Sequence, residues 1–205
     1  MADLTFGNRE IRDFRNKLTG GGTRSNLFEV DIAYPTGMGA ATGSAVNDGQ
    51  FLIKAAEIPA ANLGNIPVPF RGRVLPVAGD RTFDPWTVTI INDTNFSIRN
   101  AMEQWSNYIN DIQTNEGEVN PANYQTSATV KQLTRKGSGE GKIDVLRTYT
   151  FEGIYPNAVS SIPLDYGATD QIEEFQVTFN YLFWEVTDST PAMTAKAQAT
   201  TPPGT

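Results

Sequence analysis

Apolar and polar residues alternate with a period of two along most of this chain, the pattern of strands that bury only one face. Phe28, Val30, Ile32 and Tyr34 alternate with Glu29, Asp31 and Ala33. Trp86, Val88 and Ile90 alternate with Thr87 and Thr89. Ile143, Val145, Tyr149 and Phe151 share a parity with Arg147, whose charge must therefore reach a strand end or a partner. The longest such run is Glu173 to Glu185, EEFQVTFNYLFWE. Phe175, Val177, Phe179, Tyr181 and Phe183 point one way, and Glu174, Gln176, Thr178 and Asn180 point the other. At Leu182 and Trp184 the polar side turns apolar, so that end requires cover.

One segment breaks the strand period. After Asn92-Asp93-Thr94, residues suited to capping a helix, Phe96, Ile98, Met102, Trp105, Ile109 and Ile112 recur at helical spacing. The spacing predicts an amphipathic helix over about 94–112 with Phe96, Met102, Trp105 and Ile109 facing the core. The fold class that follows is mainly β, a β-sandwich or small β-barrel with one flanking α-helix. Three stretches lack large apolar residues or regular patterning: a flexible arm over 1–25, a Gly/Ala-rich loop over 35–49 and a tail over 187–205. The organisation expected is one β domain over 26–186 between two extensions, all within 205 residues.

Composition then narrows the chemistry. The chain has no cysteine and no histidine, which excludes disulfides, thiolate nucleophiles, Cys/His zinc sites and any Ser-His-Asp arrangement. Its net charge of −7 opposes any firm hold on nucleic acid phosphate. No apolar run approaches the roughly 20 residues that span a bilayer, and the N-terminus lacks the apolar segment of a secretory signal.

The remaining motifs carry little catalysis. Arg135-Lys136-Gly137-Ser138-Gly139-Glu140-Gly141-Lys142 lacks the first glycine of a P-loop and lies between two strand patterns, so it reads as a hairpin tip. Glu173 and Glu174 are adjacent on a strand and face opposite ways; Glu29 and Asp31 sit side by side on a polar face. Neither arrangement opposes two carboxylates across a substrate. In Val68–Ile90, VPFRGRVLPVAGDRTFDPWTVTI, Arg71, Arg73 and Arg81 could hold an anion, yet no basic, aromatic-rich patch surrounds them. They read better as subunit-interface residues or intramolecular ion pairs, since arginine's planar fork pairs with carboxylates. Val68-Pro69 and Asp84-Pro85 read as strand ends or bends. No cofactor, metal or small-molecule site is expected.

Three segments together resemble the tail tube proteins of contractile-tailed bacteriophages: SNLFEVDIAYP, IPAANLGNIPVPFRGRVLPVAGDRTFDPWTVTIINDTNFSIRNAMEQWSNYI and YTFEGIYPNAVSSIPLDYGATDQIEEFQVTFNYLFWE. The middle one is the most specific, with an RGR strand, a Gly-Asp-Arg turn, a Trp strand, an Asn-Asp cap and a Glu-x-Trp helix. The resemblance implies a structural protein, not an enzyme. Hexameric rings would stack into a hollow tube inside a contractile sheath, with strands of all copies lining the lumen and DNA passing without specific contact. Partners would be further copies, the tail sheath, and baseplate and tube-terminator proteins, assembled in the host cytoplasm into the virion tail. On this view Glu174, Gln176, Thr178 and Asn180 face the lumen, with Glu29 and Asp31 as further candidates. Arg71, Arg73, Asp80 and Arg81 would join subunits or rings. A tube initiator, a baseplate adaptor or the inner tube of a phage-derived injection system would share these features. A carbohydrate-binding β-sandwich is the rival of a different class, and it requires a monomer with a tryptophan-lined groove.

Overall fold

The computed structural model describes residues 11–18, 22–38, 52–135 and 144–186. The tail over 187–205, most of the Gly/Ala loop and the tip at 136–143 lie outside the described residues. Within the span read as a flexible arm there is a short helix, α1 (Ile11–Lys17).

Among the described residues nine strands follow: β1 (Phe28–Ile32), β2 (Ile53–Ala56), β3 (Asn62–Phe70), β4 (Arg73–Thr82), β5 (Trp86–Ile91), β6 (Thr126–Leu133), β7 (Val145–Val159), β8 (Glu174–Asn180) and β9 (Phe183–Val186). Helices α2 (Ser97–Ile109) and α3 (Pro121–Tyr124) separate β5 from β6. Seven strands form one bent antiparallel sheet, in the order β1-β6-β7-β8-β5-β2, with β9 added to β7. The bend is in β7. Its first part pairs with β6 and β9, and its last part, Tyr155–Val159, pairs with β8. Between them stands Gly153 at φ 67, a left-handed conformation that glycine adopts at little cost. A Cβ there would meet Leu182 Cδ1 at 2.6 Å. The sheet thus folds into two halves, β1-β6-β7-β9 and β7-β8-β5-β2, packed as an open sandwich.

The core lies between these halves and under α2. Trp86 of β5 stacks on Phe151 of β7, ring centroids 4.5 Å apart, and so ties one half to the other. Trp105 of α2 packs on Phe179 and Tyr34 and donates its indole N–H to the Tyr124 carbonyl at 2.8 Å. Val30, Val88, Ile90, Val177 and Phe175 complete the apolar interior, their alternation with polar residues surviving intact from sequence to structure.

Two sequence expectations change. The helix is shorter than 94–112. Phe96 stands just before it in a left-handed conformation, φ 54, and is 43% exposed, while Ile112 lies beyond its end and is exposed. Phe96 is therefore not on the core face; Ile98 and Ala101 fill that place beside Met102 and Trp105, with Ile109 half-buried. Likewise the run Glu173–Glu185 is two strands. The chain crosses from one half-sheet to the other at Tyr181-Leu182, so Trp184 packs against the core and Phe183 becomes exposed. The corner at Gly153 causes this, because β8 and β9 pair with different parts of β7. Arg147 shares the parity of buried Tyr149 but is exposed near the start of β7, where its guanidinium lies over the Tyr149 ring, 5.1 Å from the centroid.

Asp93 caps α2 from four residues upstream of Ser97, accepting bonds from the Ser97 amide (2.9 Å) and hydroxyl (2.7 Å). Burial pushes its pKa up, but the bonds from Ser97, together with those from the Asp93 and Asn95 backbone, outweigh it and leave the carboxyl below its ordinary value. Asp93→Ala is expected to cost about 1 kcal/mol, as lost caps do. Because the folded pKa is depressed, this contribution is present above the ordinary aspartate value of about 3.9 and fades as pH falls through the folded one. Urea unfolding at neutral and acid pH checks it: the gap between wild type and Asp93→Ala should close in acid.

Candidate functional site

The stretch around Arg71 forms a two-stranded ribbon of its own. β3 and β4 pair from Asn62↔Thr82 to Phe70↔Arg73, and neither belongs to the large sheet. Arg71 (φ 46) and Gly72 (φ 79) make the two-residue turn, both with positive φ as a type I′ hairpin turn requires. The RGR motif is thus a turn with one arginine beginning β4, and Gly79-Asp80-Arg81 lies inside β4 beside a register shift rather than in a turn. The physical reason is Gly72: an Arg-Gly pair between alternating apolar residues accepts the positive φ values that Gly79-Asp80 is not asked to supply.

None of the ribbon's side chains belongs to the core. The register puts Ile66, Val68 and Phe70 of β3 on one face with Val77, Leu75 and Arg73 of β4. Phe70 is 66% exposed and Leu75 61%. An isolated two-stranded ribbon is marginal in water, and a contiguous apolar row on an acidic protein marks a surface that another molecule covers. Arg71 lies over the Phe70 ring at 5.2 Å. Among the described residues, Arg71, Arg73, Asp80 and Arg81 have no ion-pair partner.

The prolines decide how the ribbon can be covered. Pro67 lies opposite Pro76. Neither has an N–H, so theirs is a non-hydrogen-bonded pair, and by alternation so is Pro69↔Val74. Backbone groups at those positions point outward from the ribbon, where β3 offers no donor at 67 or 69 and β4 none at 76. Both edges are blocked against a further strand. Val68-Pro69 is therefore inside a strand, not at its end, tolerated because the ring faces out; Asp84-Pro85 does precede the start of β5. Its faces are what the ribbon leaves open to a partner.

The polar candidates fall on two surfaces. Glu174, Gln176, Thr178 and Asn180 lie on the outer face of β8, with Thr87 and Thr89 of β5 beside them. Thr178 and Thr87 hydroxyls are 3.2 Å apart, Asn180 donates to the Tyr155 hydroxyl, and Glu174 is paired with Lys54 at 2.6 Å. Glu29 and Asp31 lie on the outer face of the other half-sheet, both bound by Lys131. Asp31, then Glu29, hold the Lys131 pKa above its ordinary value. With the core between the halves, the two polar sets do not share a face.

The tryptophans leave no groove for a sugar. Trp86 and Trp105 are buried, and Trp184 packs against the core with its N–H donated to the Ala60 carbonyl.

The model of the family described as "Phage tail tube protein" matches residues 23–187. The chain belongs to the phage tail tube protein family. It is 34% identical over 166 residues to tail tube protein gp19 of Enterobacteria phage T4, covering 79% of this chain and 90% of that one. It is 31% identical over 180 residues to the tail tube protein of Serratia phage KSP90, covering 87% and 97%. The fold is also that of a chain in the anti-feeding prophage tube-terminating cap (TM-score 0.57, 17% identity, 82% and 92% covered). A chain of the sheath–tube complex of an extracellular contractile injection system shares it too (TM-score 0.51, 13% identity, 85% and 97% covered). As a tail tube protein, the chain is a structural component of the virion tail. The matched stretch contains the ribbon, both half-sheets and α2. The ribbon's arginines stand out in the sequence, and the signal for its apolar row is the alternation of Ile66, Val68 and Phe70 ahead of Arg-Gly, a hairpin pattern.

Proposed function

We propose that this tail tube protein assembles into hexameric rings that stack into a hollow conduit for DNA, and that it works mechanically, without a catalytic step. The observation that carries the proposal is the β3–β4 ribbon, an apolar surface that the other described residues leave uncovered and whose prolines prevent indiscriminate strand addition. The half-sheet β7-β8-β5-β2 supports the wall: among the described residues its edges, β2 and Tyr155–Val159, are each paired on one side only, with β5 and with β8, and closing a ring removes such edges. In that reading Glu174, Gln176, Thr178 and Asn180 line the lumen. A surface of short polar side chains with Glu174 neutralised by Lys54 offers phosphate nothing to grip. Glu29 and Asp31 then face outward, towards the sheath side. The ribbon's Arg71, Arg73, Asp80 and Arg81 join copies; sheath, baseplate and tube-terminator proteins are the further partners.

Negative-stain microscopy of the purified full chain, alone and with baseplate as nucleus, tests this. Rings and tubes are the expected result. Compact monomers under both conditions would sink the proposal.

A further inference from the structure

The ribbon and the loop 160–173 leave the same four-stranded half-sheet at opposite ends. Ala56, Trp86 and Asn180 mark one end, and the ribbon joins β2 to β5 there. Ile91, Glu174 and Val159 mark the other, and the loop joins β7 to β8 there. The ribbon carries three arginines against one aspartate; the loop carries Asp165, Asp170 and Glu173 and no basic residue. Both expose apolar side chains, Phe70 and Leu75 on the ribbon, Leu164, Tyr166 and Ile172 on the loop.

Resting on the tube reading above, we infer that the ribbon of one copy docks face-on against the Ile162–Glu173 loop of a copy in the next ring. Opposite charge and exposed apolar surface at opposite ends of one half-sheet make a heterologous, head-to-tail contact, which propagates along an axis instead of closing on itself. The acidic turn at Asp111–Glu118 is a poorer receiver. It lies against Tyr155 and Pro156, at the ribbon's own end of the half-sheet, so a ribbon leading away from that end moves off from it. The chemistry at the joint is Arg71 and Arg73 against Asp165 and Asp170, with Phe70 and Leu75 against Leu164, Tyr166 and Ile172. The ion pairs select orientation and partner; the apolar contact holds it.

Charge exchange tests the pairing. Arg71→Glu with Arg73→Glu, and separately Asp165→Lys with Asp170→Lys, should each retain rings while shortening tubes by about tenfold or more, as like charges meet across the joint. Joining all four substitutions in one chain should restore tube length. Circular dichroism and thermal unfolding, unchanged from wild type, establish that each variant is folded. Because the chain has no cysteine, Leu75→Cys with Tyr166→Cys supplies the only thiols. Oxidised tubes of that variant should run as covalent multimers on a non-reducing gel. Native-length tubes from both reversed variants, or a four-fold variant no better than either, would overturn the inference. So would reversed variants that build native tubes but fail to bind sheath. A wild-type chain that makes neither rings nor tubes defeats the tube reading instead.

Discussion

Replacing Asn62–Thr82 by an Asn-Gly link is expected to leave a folded subunit that no longer builds tubes. The two ends to be joined are already neighbours, since Asn62 pairs with Thr82, and cross-strand Cα atoms lie only about 5 Å apart. No ribbon side chain is in the core, whose largest members are Trp105, Phe151, Phe175 and Phe179. Its removal should therefore change unfolding free energy by no more than about 0.5 kcal/mol, the range of surface changes away from special features. Solubility should rise with the loss of the exposed row from Ile66 to Val77. Thermal unfolding and microscopy separate the two outcomes. A subunit that unfolds without the ribbon would make it part of the monomer's fold; tubes that form without it would remove it from assembly.

The second large effect is expected at the corner of the sheet. Gly153→Val places a Cβ at φ 67 and within 2.6 Å of Leu182 Cδ1 and Cγ. A left-handed L-residue costs roughly 1–2 kcal/mol and overpacking roughly 1–3 kcal/mol more, giving about 2–5 kcal/mol in all. The two parts can be told apart. Leu182→Ala in the Gly153→Val background relieves the overlap but not the backbone strain, so stability should return only in part. Equal melting temperatures for Gly153→Val and wild type would mean that the corner is not where the sheet turns.

Much of this was legible in the residues. The alternation of Val30 with Asp31, of Val88 with Thr89 and of Val177 with Thr178 named both the core and the polar faces, because strand geometry sends successive side chains to opposite sides whatever the neighbours are. The helix face around Met102 and Trp105 followed equally from its period. The failures lie where a local pattern has to meet a distant partner. Phe96 has the spacing of a helix residue but sits outside the helix, because Asp93 caps at Ser97. Phe183 has the parity of a core residue but is exposed, because β9 pairs with a different part of β7 from β8.

By itself the sequence determined which residues face inward along each strand, that histidine and cysteine chemistry is absent, and to which family the chain belongs. Only the tertiary structure decided that Glu174 and Glu29 lie on different faces, that the Arg71-Gly72 turn tips an unpacked ribbon, and that this ribbon and the acidic loop leave the half-sheet at opposite ends. Periodicity is a property of consecutive residues, whereas face and end depend on which strands pair, and pairing is set by contacts between segments far apart in the chain.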